Sequence, residues 1–165
     1  MNWIESLLNW YEQNARDLPW RRTNDGYAIW ISEIMLQQTR VAAVIPYYER
    51  FLRELPDIHA LANVEDDRLH KLWEGLGYYS RARDLKKAAN EIVSRFGGRM
   101  PRDYDALLSL SGIGEYTAGA IASLAFGIAV PAVDGNVLRV YARFFGAEQD
   151  IRDLAFKKEV RAFLL

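Results

Sequence analysis

Apolar residues recur at helical spacing along nearly the whole chain. Trp3, Ile4, Leu7, Leu8 and Tyr11 share one face and predict a first helix. Leu18-Pro19-Trp20 breaks it, and residues 21–27 read as a polar loop with a turn at Asn24-Asp25-Gly26. A second helix is predicted over 27–40, with Ile31, Ile34 and Met35 on its core side. A third covers 42–54, with Pro46 in its first turn. Pro56 closes that region, and Asn63 or Asp66 is positioned to cap a helix running to Trp73. Gly75-Leu76-Gly77 is a glycine turn, and 80–96 is a long amphipathic helix closed by Gly97-Gly98. Asp103 caps a helix over 104–110, the turn Ser111-Gly112-Ile113-Gly114 follows, and 115–126 is the next helix. Residues 127–133 form a loop, 136–145 a helix stopped by Gly146, and 153–165 the last helix. No convincing strand pattern appears, so the predicted class is all-α.

A chain of 165 residues, half of them apolar, has enough material for one domain with two lobes. It contains no cysteine, which excludes a disulfide framework and a thiolate metal site. His59 and His70 are too isolated to suggest a metal site. No apolar run reaches membrane-spanning length, and the first residues lack the charge pattern of a signal peptide. A soluble intracellular, cytoplasmic protein with no membrane partner is the expectation. The net charge of −1 argues weakly against a polyanionic partner, but the charge is uneven. Residues 78–102 hold seven basic side chains against two acidic ones, whereas 54–67 are acidic. A local basic face is therefore expected, though two solvated helix surfaces would give the same pattern. The last residues, Phe163-Leu164-Leu165, lie inside an apolar helical pattern. That predicts an incomplete second lobe, an exposed apolar patch with the first helix, and self-association as one way of covering it.

Three features point to chemistry. Gly112 and Gly114 permit positive φ and close approach of another molecule to the main chain. The turn they form feeds a helix, whose uncapped N–H groups make an anion site suited to phosphate. A helix-hairpin-helix is thus predicted, and phosphates in a row mean nucleic acid. A plain glycine turn between core helices is the alternative. The second feature is Glu33, flanked one helical turn away by Ile29, Trp30, Leu36 and Gln37. Partial desolvation would raise its pKa and suit it to general-acid work, unless it faces solvent on an ordinary amphipathic helix. The third is Asp134, which follows Pro131-Ala132-Val133 at the start of a helix. There the N–H groups favour a carboxylate, whether as an N-cap, a catalytic anion or both. An acid and an anion held apart in character are a familiar pair for glycosidic bond cleavage. Gln37-Gln38-Thr39 and Gly77-Tyr78-Tyr79 are candidate wedges for a gap left by an extruded base.

These residues stand within six motifs in a fixed order: Leu18-Pro-Trp-Arg21, Ser32-Glu-Ile-Met-Leu-Gln-Gln-Thr39, Ile45-Pro-Tyr-Tyr48, Trp73-Glu-Gly-Leu-Gly-Tyr-Tyr-Ser-Arg-Ala-Arg83, Leu110-Ser-Gly-Ile-Gly-Glu-Tyr-Thr-Ala118 and Val133-Asp-Gly-Asn-Val-Leu-Arg139. In this the chain resembles adenine DNA glycosylases of the MutY type, in the helix-hairpin-helix superfamily shared with endonuclease III, over essentially its whole length. The resemblance implies excision of adenine mispaired with 8-oxoguanine or guanine in double-stranded DNA. Glu33 would protonate the adenine ring, and Asp134 would stabilise or trap the cationic sugar. Arg16, Trp20, Arg21 and Tyr116 look like adenine-pocket residues. Leu36, Gln38, Thr39, Leu76 and Tyr78 resemble the group that fills the stack and reads the opposing base. Main-chain N–H groups over 112–116, including those of Gly112, Gly114, Glu115 and Tyr116, would hold the DNA backbone. The carbonyls of Leu108, Leu110 and Ile113 would hold a monovalent cation.

The implied architecture is a six-helix barrel lobe over 22–130, carrying the helix-hairpin-helix at 104–126. Residues 1–21 and 131–165 would form part of a second lobe. Two departures stand out. Ser111 occupies a position usually filled by proline, and the four-cysteine [4Fe–4S] region and 8-oxoguanine-recognition domain of such enzymes have no counterpart here. Tyr116 stands where a bifunctional glycosylase/lyase needs a lysine amine for a Schiff base, which implies monofunctional chemistry. A thymine-mismatch glycosylase and a non-catalytic DNA-binding module are the alternatives.

Overall fold

The computed structural model describes residues 3–165. They form ten α-helices and one short 3-10 turn, with no strand among the described residues. In chain order these are α1 (Trp3–Asn14), the 3-10 turn (Pro19–Arg21), α2 (Gly26–Leu36), α3 (Val41–Glu54), α4 (Ile58–Asn63), α5 (Asp66–Trp73), α6 (Ser80–Phe96), α7 (Tyr104–Leu108), α8 (Glu115–Phe126), α9 (Gly135–Phe145) and α10 (Leu154–Phe163). No helix is long and apolar enough to cross a membrane among the described residues.

Aspartates start five of these helices. Asp25, Asp57, Asp103, Asp134 and Asp153 each accept a hydrogen bond from a main-chain N–H in the first turn that follows. Left-handed glycines end α6, α8 and α9, at Gly97, Gly127 and Gly146. The α2 helix is the axis of the larger core. Every residue from Gly26 to Met35 is buried except Glu33. It packs on α8 and α3, while α4 packs on α6. Trp30, Phe51 and Trp73 are fully buried around it. A second, smaller core gathers Leu138, Phe156 and Val160 from α9 and α10. The larger core takes in Leu18 and Trp20, which lie outside the 22–130 span expected for that lobe.

Several elements differ from the pattern-based expectation. The second helix stops at Leu36 rather than Arg40, because Arg81 takes the carbonyls of Ile34, Met35 and Gln37 and the chain turns at Gln38 with φ 55°. α4 is an added helix. Its six residues are too few to show a period, but the Asp57 cap and the buried Ile58, Leu61 and Ala62 make it a core element. Neither Asn63 nor Asp66 caps α5, whose N-cap is Glu65 without a side-chain bond. Pro46 lies inside α3, beyond its first turn and on an exposed position. The basic stretch is not one open face either. Arg81 is buried and Lys86 pairs with Asp66.

α1 buries no residue. Trp3 meets Phe144 and Phe145 of α9, and an apolar groove of about 510 Å³ lies between Trp3, Leu7, Val140, Phe144 and Phe163.

Candidate active site and nucleic-acid interface

A cleft of about 730 Å³ opens between the residues that join α1 to α2, the face of α2 and the start of α9. Glu33, Tyr116, Asp134, Arg16, Trp20, Arg21, Leu36 and Gln38 all line it. Residues separated by a hundred positions thus share one wall.

Three local devices bring them there. Glu33 is the one incompletely buried residue within an otherwise buried run of α2, so its carboxyl reaches the cleft from a desolvated base. Tyr116 sits in the first turn of α8, which packs directly on α2. Asp134 is delivered by the 131–134 segment, which crosses α8 at Gly119. A Cβ on Gly119 would stand 2.7 Å from the Pro131 carbonyl oxygen, so only glycine admits this crossing without a shift. A glycine in the middle of a helix was the signal in the sequence that a chain passes close by.

The two carboxyls sit in different surroundings. Burial pushes the Glu33 carboxyl above the ordinary range, and the nearby Asp134 charge pushes it further the same way. The Tyr116 hydroxyl beside it opposes part of that rise. The Tyr116 phenol is itself pushed up, first by burial and then by Glu33, and therefore stays protonated as a donor. Asp134 is held differently. Its Oδ1 accepts from the N–H groups of Asn136 and Val137 at 2.9 Å, and Oδ2 accepts from Asn136 Nδ2 at 2.9 Å. It is at once the N-cap of α9 and an anion fixed at a helix N-terminus. Elsewhere in the lining, Trp20 is buried edge-on against Tyr48, and Arg21 lies over Tyr11 while donating to the Arg16 carbonyl.

α7, the turn and α8 form a helix-hairpin-helix. Gly112 has φ 72°, and a Cβ there would meet Asp84 of α6 at 2.7 Å. Gly114 was expected to share positive φ, but its backbone is ordinary extended chain and its surroundings are open. It serves as N-cap of α8 with no side-chain bond, leaving the first-turn amides uncapped at the surface. The Ile113 N–H is not among the available donors, because it bonds the Leu110 carbonyl at 3.2 Å. The Glu115 carboxylate is exposed and turned toward Arg161 at 4.0 Å, so only its amide belongs to this donor group. Ser111 proves well matched to its position. Its N–H and hydroxyl both donate to the Glu91 carboxylate, at 2.9 and 2.6 Å. A proline could make neither bond.

Of the two candidate wedges, Gln37-Gln38 lines the cleft, and the Tyr78 segment is tied to it through Arg81. Gln38 is exposed at a loop tip, and Tyr78 is 62% exposed on the turn after α5. Thr39 is tied back to the Gln37 carbonyl at 3.3 Å. Leu76 departs from expectation: it is only 6% exposed and packs into the larger core, because the turn folds its N–H back on the Trp73 carbonyl. Arg81 links the two segments and was not singled out by the sequence. Nothing in the local pattern separates it from the solvent-facing Arg83 beside it.

Residues 31–164 match the HhH-GPD superfamily of base excision DNA repair proteins. A human adenine DNA glycosylase is 50% identical over 147 residues, covering 84% of this chain and 27% of the human protein. The adenine DNA glycosylase of Buchnera aphidicola subsp. Acyrthosiphon pisum is 42% identical over 155 residues, covering 93% of this chain and 44% of its own length. The chain therefore spans between about a quarter and a half of these two curated relatives. Among solved structures, a thermostable thymine-DNA glycosylase superposes with a TM-score of 0.88 at 31% identity, over 97% of this chain and 76% of that one.

Proposed function

The chain belongs to the HhH-GPD superfamily of base excision DNA repair proteins, and from that premise we propose that it excises adenine mispaired with 8-oxoguanine or guanine from double-stranded DNA. The observation that carries the reading is the convergence of Glu33, Tyr116 and Asp134 on one cleft, with the two carboxyls in opposite environments. Adenine leaves poorly as an anion. Glu33, whose proton is held more tightly because the carboxyl is desolvated, gives it to a ring nitrogen as the bond between the base and C1′ breaks. The electron pair departs with the neutral base, and positive charge develops on the sugar. Asp134, its carboxylate already held by three donors, faces that charge without having to reorganise. Water adds to C1′, and the proton it loses returns to the Glu33 carboxylate, which yields the neutral abasic site and resets the acid. Tyr116 orients Glu33 and offers no amine for a Schiff base, so strand cleavage by a lyase step is not part of the reaction.

The base must leave the stack to reach the cleft. Arg16, Trp20 and Arg21 form the wall that receives it, while Gln38, Tyr78, Thr39 and Leu36 occupy or border the vacated space. The uncapped amides of Gly114, Glu115 and Tyr116 meet the phosphates. The carbonyls of Leu108, Leu110 and Ile113 are oxygen donors of the kind a monovalent cation takes, beside the end of α7 where the helix dipole favours positive charge. A [4Fe–4S] cluster belongs to longer relatives in this reading. It does not fit this chain, which has no cysteine. Intracellular action on chromosomal DNA follows from the same reading.

The thymine reading is favoured by the structural likeness alone, and the adenine reading by the higher identity to adenine glycosylases. Single-turnover assays on duplexes with adenine opposite 8-oxoguanine, adenine opposite guanine and thymine opposite guanine decide between them. Free adenine, with intact strands until alkali is added, is expected. Thymine release without adenine release would establish the thymine reading instead. Tight duplex binding with no release of either base would mark a binding module.

A further inference from the structure

Arg81 is the one arginine that the core encloses. It is 8% exposed and makes no ion pair with a carboxylate among the described residues. Its guanidinium is instead spread over main-chain carbonyls of two separate segments. Nη1 donates to the carbonyls of Ile34 at 2.7 Å, Met35 at 3.2 Å and Gln37 at 2.6 Å. Nη2 donates to the carbonyls of Leu76 at 3.2 Å and Gly77 at 3.3 Å, with Thr39 Oγ1 at 3.4 Å. The group lies over the Trp73 and Tyr78 rings, at 5.5 and 5.6 Å from their centroids. A cation at the C-terminal end of α2 is favoured by the helix dipole, which offsets part of the cost of burying it.

Gln38 and Tyr78 stand on the two segments that this guanidinium joins. They are the only non-glycine residues with positive φ among the described residues, at 55° and 48°. Side chains rarely adopt that conformation unless the surroundings impose it. Both tips are exposed, and both backbones are anchored through the same planar group. The spacing between Nη1 and Nη2 is set by covalent geometry, so the gap between the segments is set too. An ammonium is a single point of attachment and cannot fix that gap.

We propose that Arg81 is a positioning residue, a clasp that locks the Gln38 loop and the Tyr78 turn into one rigid unit, so that both tips enter the DNA stack together. The insertion step rests on the reading of the chain as a DNA glycosylase, whereas the clasp itself does not. It acts through Gln38 and Tyr78 rather than on the reacting atoms.

The chain has no native cysteine, so Gln38→Cys and Tyr78→Cys can carry a pair of spin labels without background. Pulsed EPR on the whole chain should give a single narrow label-to-label distance with Arg81 in place. Arg81→Met and Arg81→Lys should each give a broad or bimodal distribution. Arg81→Lys keeps the charge and most of the bulk, so it is the decisive variant should Arg81→Met fail to fold by circular dichroism. An unchanged narrow distribution in Arg81→Lys overturns the clasp. On unlabelled protein, Arg81→Lys should reduce the preference for a mismatched over a matched duplex by about tenfold. It should cause no further loss in a Gln38→Ala/Tyr78→Ala background. Losses that simply add would mean that Arg81 acts through the fold at large, and would also overturn the clasp. If the wild-type chain shows no mismatch preference while the distances still broaden in Arg81→Lys, the glycosylase reading fails and the clasp stands.

Discussion

Gly119→Ala tests how Asp134 reaches the cleft. The new Cβ would lie 2.7 Å from the Pro131 carbonyl oxygen and 3.3 Å from the Ala132 Cα, all of it backbone that cannot rotate away. Restoring ordinary contact of about 3.4 Å requires the segment or α8 to move by roughly 0.7 Å. Overpacking of this kind costs about 1–3 kcal/mol. Alanine recovers about 1 kcal/mol over glycine within a helix. The net loss of stability is therefore small, about 0–2 kcal/mol, and the melting temperature should fall by only a few degrees, about 2–4 °C for each kcal/mol in a chain of this size. The rate should suffer more. A displacement near 1 Å in a catalytic group can cost about a hundredfold, so base release should slow at least about tenfold. Thermal melting and single-turnover kinetics on one preparation separate the two effects. A variant that melts with the wild type and releases base at the wild-type rate would refute the crossing as the device that sets Asp134.

Glu33→Gln should abolish base release and keep duplex binding, and it should also melt higher than the wild type at pH 8. Burial raises the folded-state pKa of Glu33, so its ionisation opposes folding increasingly as pH rises above the ordinary carboxyl range, and the amide escapes that cost. Equal or lower melting of the variant at pH 8 would contradict the desolvation argument. Tyr116→Phe removes the hydroxyl that opposes the rise of the Glu33 carboxyl, so the alkaline limb of the pH–rate profile should move to higher pH; a shift to lower pH would refute that role. Glu91→Ala removes both bonds from Ser111 and should weaken duplex binding about fivefold while leaving the chemical rate of bound substrate unchanged, as read by titration and single-turnover kinetics. In the wild type, burial raises the Glu91 carboxyl but the Ser111 bonds, Lys87 and Arg95 outweigh it and hold it below the ordinary range, so its contribution should fade only in acid.

Helical class, the caps at Asp103 and Asp134, and the hairpin at Gly112 were legible in the sequence, because each is decided within a few residues by periodicity, a side-chain oxygen or a left-handed turn. Glu33 and Asp134 were legible as candidate chemistry for the same reason: one stands among apolar neighbours and the other at a helix start. Their convergence was not. It depends on α8 packing on α2 and on the backbone crossing at Gly119, which are properties of two elements at once. The end of α2 at Leu36 shows the same division. Local preference carries the helix to Arg40, but Arg81, forty-odd positions later, takes its last carbonyls and turns the chain at Gln38. Leu76 and Tyr78 are two residues apart and both apolar in large part, yet one is core and the other exposed. The sequence by itself determined which residues are candidates for chemistry and where most of the helices lie, because those are questions of residue type and near neighbours. The tertiary structure alone decided which of them meet, which way each faces and which cation is buried, because long-range packing settles all three.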